Sequence, residues 1–209
     1  SDPELYKQVE VLRGPASSTL YGSGAIGGVI NFTTKDASDF IVDGKTGAVR
    51  IKGMHETNGD GTLVSGIWAH KFSDNVELLA TGNWRRSDEF DLANGTTLSG
   101  SDFDAWSGLI KGTAKFGDND EQQLRLSYQK WNSDAQNQDY AQTGTLAAFG
   151  TVDRNVTDQT TVFSYSNEDL DNPWLDFKLS ASYSDTHVIQ SDSAVGAIGM
   201  KALAARVIR

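Results

Sequence analysis

The sequence predicts a mainly β fold in the pattern of a partial antiparallel transmembrane β-barrel of about seven strands, preceded by a smaller unit of different character. Three observations carry this prediction. The chain has 21 Gly, 3 Pro and 10% aromatic residues among many Ser, Thr, Asn and Asp, which suits strands joined by turns better than a helical bundle. From about Ala48 onward, apolar and polar side chains alternate, and the connections between the alternating segments differ in length in an ordered way.

The alternation is clearest in two segments. Residues 175–183 place Leu, Phe, Leu, Ala and Tyr on one face and Asp, Lys and Ser on the other. Residues 106–116 repeat the pattern, with Leu109 as the exception on the polar face. One apolar and one polar face is typical of a strand that contacts lipid or a core on one side only. The candidate strands are 47–57, 62–72, 76–87, 105–116, 122–132, 159–167 and 174–186.

The connections alternate between short and long after the first hairpin. The short ones are 73–75, 117–121 and 168–173, and the long ones are 88–104 and 133–158. Outer-membrane barrels show this asymmetry because one set of turns only reverses the chain while the opposite loops carry recognition. A soluble sandwich has no need to sort its loops in this way.

Composition excludes several classes of function. The formal net charge of -10 argues against a nucleic-acid binder, because phosphate backbones select basic surfaces. The absence of Cys removes thiolate zinc sites and Cys nucleophiles. No catalytic motif stands in a supporting context, so we expect no enzyme, no catalytic residue, no metal site and no cofactor of the protein's own. The polar, acidic start carries no signal peptide, which we interpret as the start of a fragment.

The first 35 residues form a different unit. A strand at 9–12 is stopped by Arg13, Gly14 and Pro15, residues 17–21 can form one or two helical turns, and a glycine-rich turn leads to a strand at 29–34. The glycines serve as backbone devices here, since a phosphate-binding loop would need a Lys and a Ser or Thr after them.

The stretches VEVLRGP (9–15), SSTLYG (17–22) and GGVIN (27–31) closely resemble the end of the plug domain of TonB-dependent outer-membrane receptors. The resemblance implies the C-terminal part of an α+β plug at 1–43 and the N-terminal part of a β-barrel at 44–209. Such a barrel has about 22 strands with the plug inside it. A generic glycine-rich strand-turn-strand is the alternative reading of these stretches.

Within this superfamily, the chain most resembles the haem, haemoglobin and haemophore receptors. The stretches that carry this resemblance are PASS (15–18), YGSGAIGG (21–28), TKDA (34–37) and DNPWLD (171–176). The resemblance implies import of an iron-containing ligand, with haem as the transported ligand, across the outer membrane of a Gram-negative bacterium. Its implied partners are outer-membrane lipid, a haemoglobin or haemophore, and the TonB-ExbB-ExbD complex, which acts through a plug segment upstream of this chain. A siderophore or cobalamin receptor of the same fold is one alternative, and a soluble adhesion or carbohydrate-binding module is another.

The resemblance also suggests roles for individual residues. Arg13 occupies the position of a plug arginine that pairs with carboxylates of the barrel wall, and so is predicted to latch plug to wall; capping the strand at a solvated edge is the alternative. The plug turn glycines are Gly14, Gly22, Gly24, Gly27 and Gly28. The polar stripe with Lys111 and Thr113 is expected to face plug or water rather than a ligand path.

Candidate ligand contacts are few. His55 and His187 lie near the outer ends of their strands, where an imidazole can meet haem iron, although a solvated histidine is the ordinary alternative. Tyr140 and Phe149, in the longest predicted loop, are candidate contacts for a haem face or carrier protein, or anchors that fold the loop. The tail from Ser191 to Arg209 shows no clear alternation and could be a truncation artefact, a frame change or a partial strand.

Overall fold

The computed structural model describes residues 5–12, 29–88, 90–91, 93–98, 102–139, 151–168, 176–194 and 203–208. A two-stranded antiparallel sheet of β1 (Tyr6–Leu12) and β2 (Val29–Thr34) comes first. A 3-10 turn at Ala37–Asp39 then leads toward a large second sheet. The prediction of strands at 9–12 and 29–34 is confirmed, and the predicted helical turns at 17–21 lie outside the described residues.

Ten further strands follow: β3 (Gly47–Glu56), β4 (Gly61–Lys71), β5 (Val76–Ser87), β6 (Phe90–Asp91), β7 (Thr97–Leu98), β8 (Phe103–Phe116), β9 (Gln122–Asp139), β10 (Thr151–Asn167), β11 (Phe177–Ala194) and β12 (Leu203–Ile208). Eight of them form the large antiparallel sheet, in the order β12-β11-β10-β9-β8-β5-β4-β3. Apart from the small hairpin of β6 and β7, each strand pairs with the next one along the chain, as in a barrel wall. The predicted mainly β fold and its seven long strands are confirmed.

The structure corrects two boundaries. The predicted loop at 133–158 is largely strand, because β9 runs on to Asp139 and β10 begins at Thr151. Polar side chains with low strand propensity are held there by cross-strand hydrogen bonds, such as those from Asn132 Nδ2 to Asn155 Oδ1 (3.1 Å) and to Thr157 Oγ1 (2.7 Å). The tail contains a partial strand, since β12 pairs with β11.

Tight turns gather at one end of the large sheet, which we call the short-turn end and define by residues 72–75 and 117–121. The two turns touch: Asn75 Nδ2 donates to Lys115 O (3.0 Å) and to Asp120 Oδ1 (3.1 Å). In the second turn Gly117 has φ 96°, a left-handed backbone conformation that residues with a Cβ rarely adopt, so glycine is favoured there. The opposite end carries the 3-10 turn Asn58–Asp60 and the β6–β7 hairpin.

Strand register defines the two faces of the sheet. Ala69, Leu79, Lys111 and Ser127 are paired in one row across β4, β5, β8 and β9, and all four are buried. The neighbouring row contains Trp68, Ile110 and Tyr128, which are 41%, 56% and 41% exposed. We call these the buried face and the exposed face; the exposed face is apolar, and the buried face mixes apolar and charged side chains. A sheet that exposes aromatic and aliphatic residues in rows presents a surface suited to lipid.

The buried core lies between the buried face of the sheet and the segment around the first 3-10 turn. Its members are Leu5, Ala37 and Ile41 from that side and Ile67, Ala69, Leu79 and Leu109 from the sheet. Leu109, which breaks the alternation of β8, is 2% exposed because its face is covered here. The segment after β2 is therefore packed against the sheet, together with Leu5, which precedes β1.

Candidate functional site

The site centres on Asp36, which lies two residues after the end of β2 and is 3% exposed. Its backbone is extended and begins the 3-10 turn Ala37–Asp39 as the N-cap residue. A capping box closes the turn, with Asp36 N donating to Asp39 Oδ2 at 2.8 Å. The turn fixes the direction of the Asp36 carboxylate, which points at the buried face of the sheet.

The sheet side of the site comes from three neighbouring strands near the short-turn end. Glu77, Thr113 and Arg125 are paired directly in one row across β5, β8 and β9. Lys111 belongs to the next row on the same face. Side chains paired in this way are neighbours, so the register alone brings two cations and one hydroxyl together opposite Asp36.

Both carboxylate oxygens of Asp36 are bound. Arg125 Nη2 donates to Oδ2 at 2.8 Å, and Arg125 Nε lies 3.0 Å from Oδ1 and 3.1 Å from Oδ2. Lys111 Nζ lies 2.9 Å from Oδ1, and Thr113 Oγ1 donates to Oδ1 at 3.3 Å. A carboxylate that meets a side-on guanidinium and an ammonium at these distances makes the stronger, charge-assisted kind of hydrogen bond.

Further contacts join the same two parts. Lys111 Nζ also donates to Thr34 O (2.8 Å) and Thr34 Oγ1 (3.0 Å), at the last residue of β2. Ser38 donates to Glu77 Oε1 through Oγ at 3.0 Å and through its backbone N at 3.3 Å. Glu77 is 6% exposed, so its carboxylate also depends on this partner. We call residues 34–41 with these contacts the anchor.

Burial raises the pKa of the Asp36 carboxyl, but the hydrogen bond from Arg125 and the charge of Lys111 lower it more, so the net pKa lies well below its ordinary value. Asp36 is therefore ionised at any physiological pH. A buried carboxylate is tolerated because two cations and a hydroxyl replace its lost water. In chemical terms the site docks one segment onto another.

Lys111 and Thr113 of the predicted polar stripe bind residues 34–36; that this face meets the plug stays a prediction. The predicted latch residue Arg13 lies outside the described residues, as do Gly14, Gly22, Gly24, Gly27, Gly28, Tyr140 and Phe149. Their roles stay predictions.

His55 and His187 lie away from the anchor, toward the opposite end of the sheet. His55 Nδ1 is 3.2 Å from Thr62 Oγ1, and its Nε2 is 3.5 Å from Asp60 Oδ1. His187 Nε2 is 2.9 Å from Asp185 Oδ2. Alternation places His187 on the exposed face with Tyr183, and His55 shares that face through its pairing with Thr62. Each imidazole thus has an oxygen partner within the chain.

Sequence reasoning missed Asp36 and Arg125 as site residues. The signal for Asp36 was weak, since it stands in a short polar stretch, TTKDASD (33–39), that reads as a turn. Arg125 stands on the polar face of a strand with Leu124 and Leu126 on the other face, and so belonged to the same inward stripe as Lys111. Nothing local in the sequence brings residues together that are 89 positions apart.

Comparison with known proteins identifies this architecture. The family model described as the TonB-dependent receptor plug domain matches residues 1–29. A hemin receptor of Yersinia enterocolitica is 31% identical over 194 residues, which covers 90% of this chain and 27% of the relative. The chain is similar to a segment of TonB-dependent receptors. The TonB-dependent heme receptor A of Haemophilus influenzae is also similar, at 27% identity over 88% of this chain and 27% of its own length.

Two solved structures share this fold over most of the chain. The hemophore receptor HasR of Serratia marcescens, solved as a double mutant with its hemophore HasA and heme, matches 90% of this chain and 27% of its own with a TM-score of 0.72 at 25% identity. The FrpB iron transporter of Neisseria meningitidis shares the fold, with a TM-score of 0.69 at 24% identity over 92% of this chain and 30% of its own. The chain thus spans little more than a quarter of the length of these two curated relatives.

Within the ranges given above, no helix has the length and apolar character to cross a membrane. Over the same part of the chain, no three His, Asp or Glu side chains gather in a way that could hold a metal ion.

Proposed function

We propose that the segment belongs to an outer-membrane receptor of a Gram-negative bacterium that imports haem, taken from haemoglobin or a haemophore, with energy delivered by TonB-ExbB-ExbD. The observation that carries the proposal is the 31% identity to a hemin receptor over 90% of this chain. The likeness to HasR bound to a hemophore and heme supports the same ligand class. Haem is transported cargo here, and the receptor carries out no catalysis.

The proposal assigns each part of the segment a task. Residues 1–43 are the end of the plug, and residues 44–209 begin the barrel. The exposed face, with Trp68, Ile110 and Tyr128, contacts outer-membrane lipid, while the buried face receives the plug. The short-turn end is then the periplasmic end, because periplasmic turns in such barrels are short. The anchor accordingly lies on the inside of the wall, close to the periplasmic exit.

Haem binding by the full-length receptor tests the proposal. Titrating the detergent-purified receptor with haem should shift the Soret band with saturation near one haem per receptor. Cells that depend on the receptor should grow with haem as their iron source and stop growing when TonB is deleted. An unchanged Soret band together with binding of a ferric siderophore would replace haem by a siderophore as ligand. Growth on haem without TonB would contradict energised import.

A further inference from the structure

The β1–β2 pair and the anchor meet in a way that decides how a pull on the plug is resisted. The register pairs Tyr6 with Thr34 and Leu12 with Val29. The N-terminal end of β1 therefore lies beside the C-terminal end of β2, which leads through Lys35 to Asp36. A force that arrives from upstream of Leu5 and a resistance at Asp36 act on the same end of the two-stranded sheet.

Two opposing forces at the same end of a two-stranded antiparallel sheet separate the strands one residue pair at a time. Each backbone hydrogen bond is then stretched alone, and a single such bond contributes only a small part of the net stability. If the force entered at Leu12 instead, all the bonds of the pair would be loaded together in shear. The observed register is the weaker arrangement, and its first contacts to break are the Lys35 N to Leu5 O bond (2.7 Å) and the Lys7–Asp39 ion pair (3.4 Å).

The anchor resists in the opposite way. Asp36 is held simultaneously by Arg125, Lys111 and Thr113, so a pull along the chain loads these bonds in parallel. Ala37 and Ile41 are buried beside them against the sheet, at 1% and 8% exposure. Ser38 adds two hydrogen bonds to Glu77. Release of the anchor thus requires several charge-assisted bonds to break and apolar surface to be exposed at once.

We propose that the anchor is a mechanical stop. Energised pulling peels β1 away from β2 from the Tyr6 and Thr34 end, while residues 36–41 stay bound to the barrel wall. The moving part of the plug ends at β2, and the plug remains tethered to the periplasmic end of the wall throughout transport. This inference rests on the proposed TonB-driven function, and it adds the point at which displacement ends.

Single-molecule pulling on the full-length receptor in a bilayer tests the stop, with the handle at the receptor's N-terminus. Beyond the stop lie residues 36–46 before β3 begins at Gly47, and extending them adds about 40 Å at 3.3–3.6 Å per residue. In the wild type this increment should appear as a separate, last plug event at a higher force than the peeling events. In Asp36→Asn it should move to lower force and merge with them.

Two further variants keep the outcome decisive. Arg125→Lys retains the charge but loses the side-on geometry, so the force of its last event should lie below that of the wild type and above that of Asp36→Asn. If Asp36→Asn fails to insert into the bilayer, the comparison of Arg125→Lys with the wild type still tests the stop. Asp43→Asn removes an exposed carboxylate from the same linker and should match the wild type. The stop is refuted if the wild-type increment comes before or together with the peeling events, or if Asp36→Asn and Arg125→Lys traces equal the wild type. The traces need no ligand, so failure to bind haem would remove the proposed cargo and leave this result unaffected.

Discussion

Arg125 holds Asp36 side-on, with Nη2 2.8 Å from Oδ2 and Nε 3.0 Å from Oδ1, across 89 positions of the chain. The pair joins strand β9 to a residue two positions after the end of β2. Lys111 completes the neutralisation from β8 at 2.9 Å. The segment after β2 and two strands of the large sheet, β8 and β9, are therefore tied at one carboxylate.

Asp36→Asn should destabilise the full-length receptor strongly. The amide leaves Arg125 and Lys111 without their buried counter-charge, and breaking a buried ion pair from one side costs about 3–5 kcal/mol. Urea unfolding in detergent micelles measures the loss, and limited proteolysis should show faster cleavage near residue 40. Asp43→Asn, the exposed control, should lie within about 0.5 kcal/mol of wild type. Equal stability of the two variants would mean that the ion pair contributes nothing.

The stabilisation by Asp36 should persist in mild acid. Its pKa is lower in the folded protein than its ordinary value of 3.8, so the unfolded chain takes up the proton first as pH falls. The contribution is complete well above pH 3.8 and is lost only as pH drops below it toward the folded-state pKa. The stability difference between wild type and Asp36→Asn should therefore stay constant from pH 7 to pH 5.5 and shrink below pH 4. A difference that already disappears at pH 6 would contradict this assignment of the charge.

A charged side chain should destabilise the fold when it lies on the exposed face and be tolerated when it lies on the opposite face. Leu179 is 61% exposed in the row with Tyr165, while its neighbour Ser180 is paired with Ser164 on the other face. Leu179→Arg would place a cation in lipid, at a cost of up to about 2–4 kcal/mol, falling toward the interface. Ser180→Arg should be nearly neutral and serves as the matched control. Folding yield into vesicles measures both, and equal yields would remove the lipid-facing assignment.

Replacing the two candidate histidines should leave haem binding unchanged. His187 is paired with Asp185 at 2.9 Å, His55 contacts Thr62, and both stand on the exposed face. We expect the double variant His55→Ala with His187→Ala to keep the Soret maximum and affinity of the full-length receptor. A shifted Soret maximum or a tenfold loss of affinity would show that one of them ligates haem iron after all.

Sequence patterns predicted the strands well, because a period-two alternation directly reports which side of a strand meets an apolar environment. They failed where polar strands extend past the apolar band: residues 133–139 and 151–158 are mostly Ser, Asn, Asp, Gln and Thr in sequence, so no clear alternation of apolar and polar residues marks them. Leu109 breaks the apolar and polar alternation of β8 because it packs in the core with Ala37 and Ile41, which lie far from it in the sequence.

The site was predicted only in part for a related reason. Lys111 and Thr113 stood out as an inward stripe, whereas their partner Asp36 is an ordinary turn residue in sequence. Which carboxylate meets which cation depends on the register of three strands and on the path of the chain after β2. The latch predicted at Arg13 would pair a plug cation with wall carboxylates; the anchor has the opposite polarity, with the carboxylate on the segment after β2 and the cations on the large sheet.

A double-mutant cycle between Asp36 and Arg125 tests the docking of plug to wall most directly. Free energies of unfolding of the full-length wild type, Asp36→Asn, Arg125→Met and the double variant give the coupling energy, with Asp43→Asn and Arg125→Met as the uncoupled reference pair. Contacting charged residues in one network should couple by about 1–3 kcal/mol, and the reference pair by less than about 0.5 kcal/mol. Additive effects of Asp36→Asn and Arg125→Met would contradict the account, because the carboxylate and the guanidinium would then not be bound to each other in the receptor.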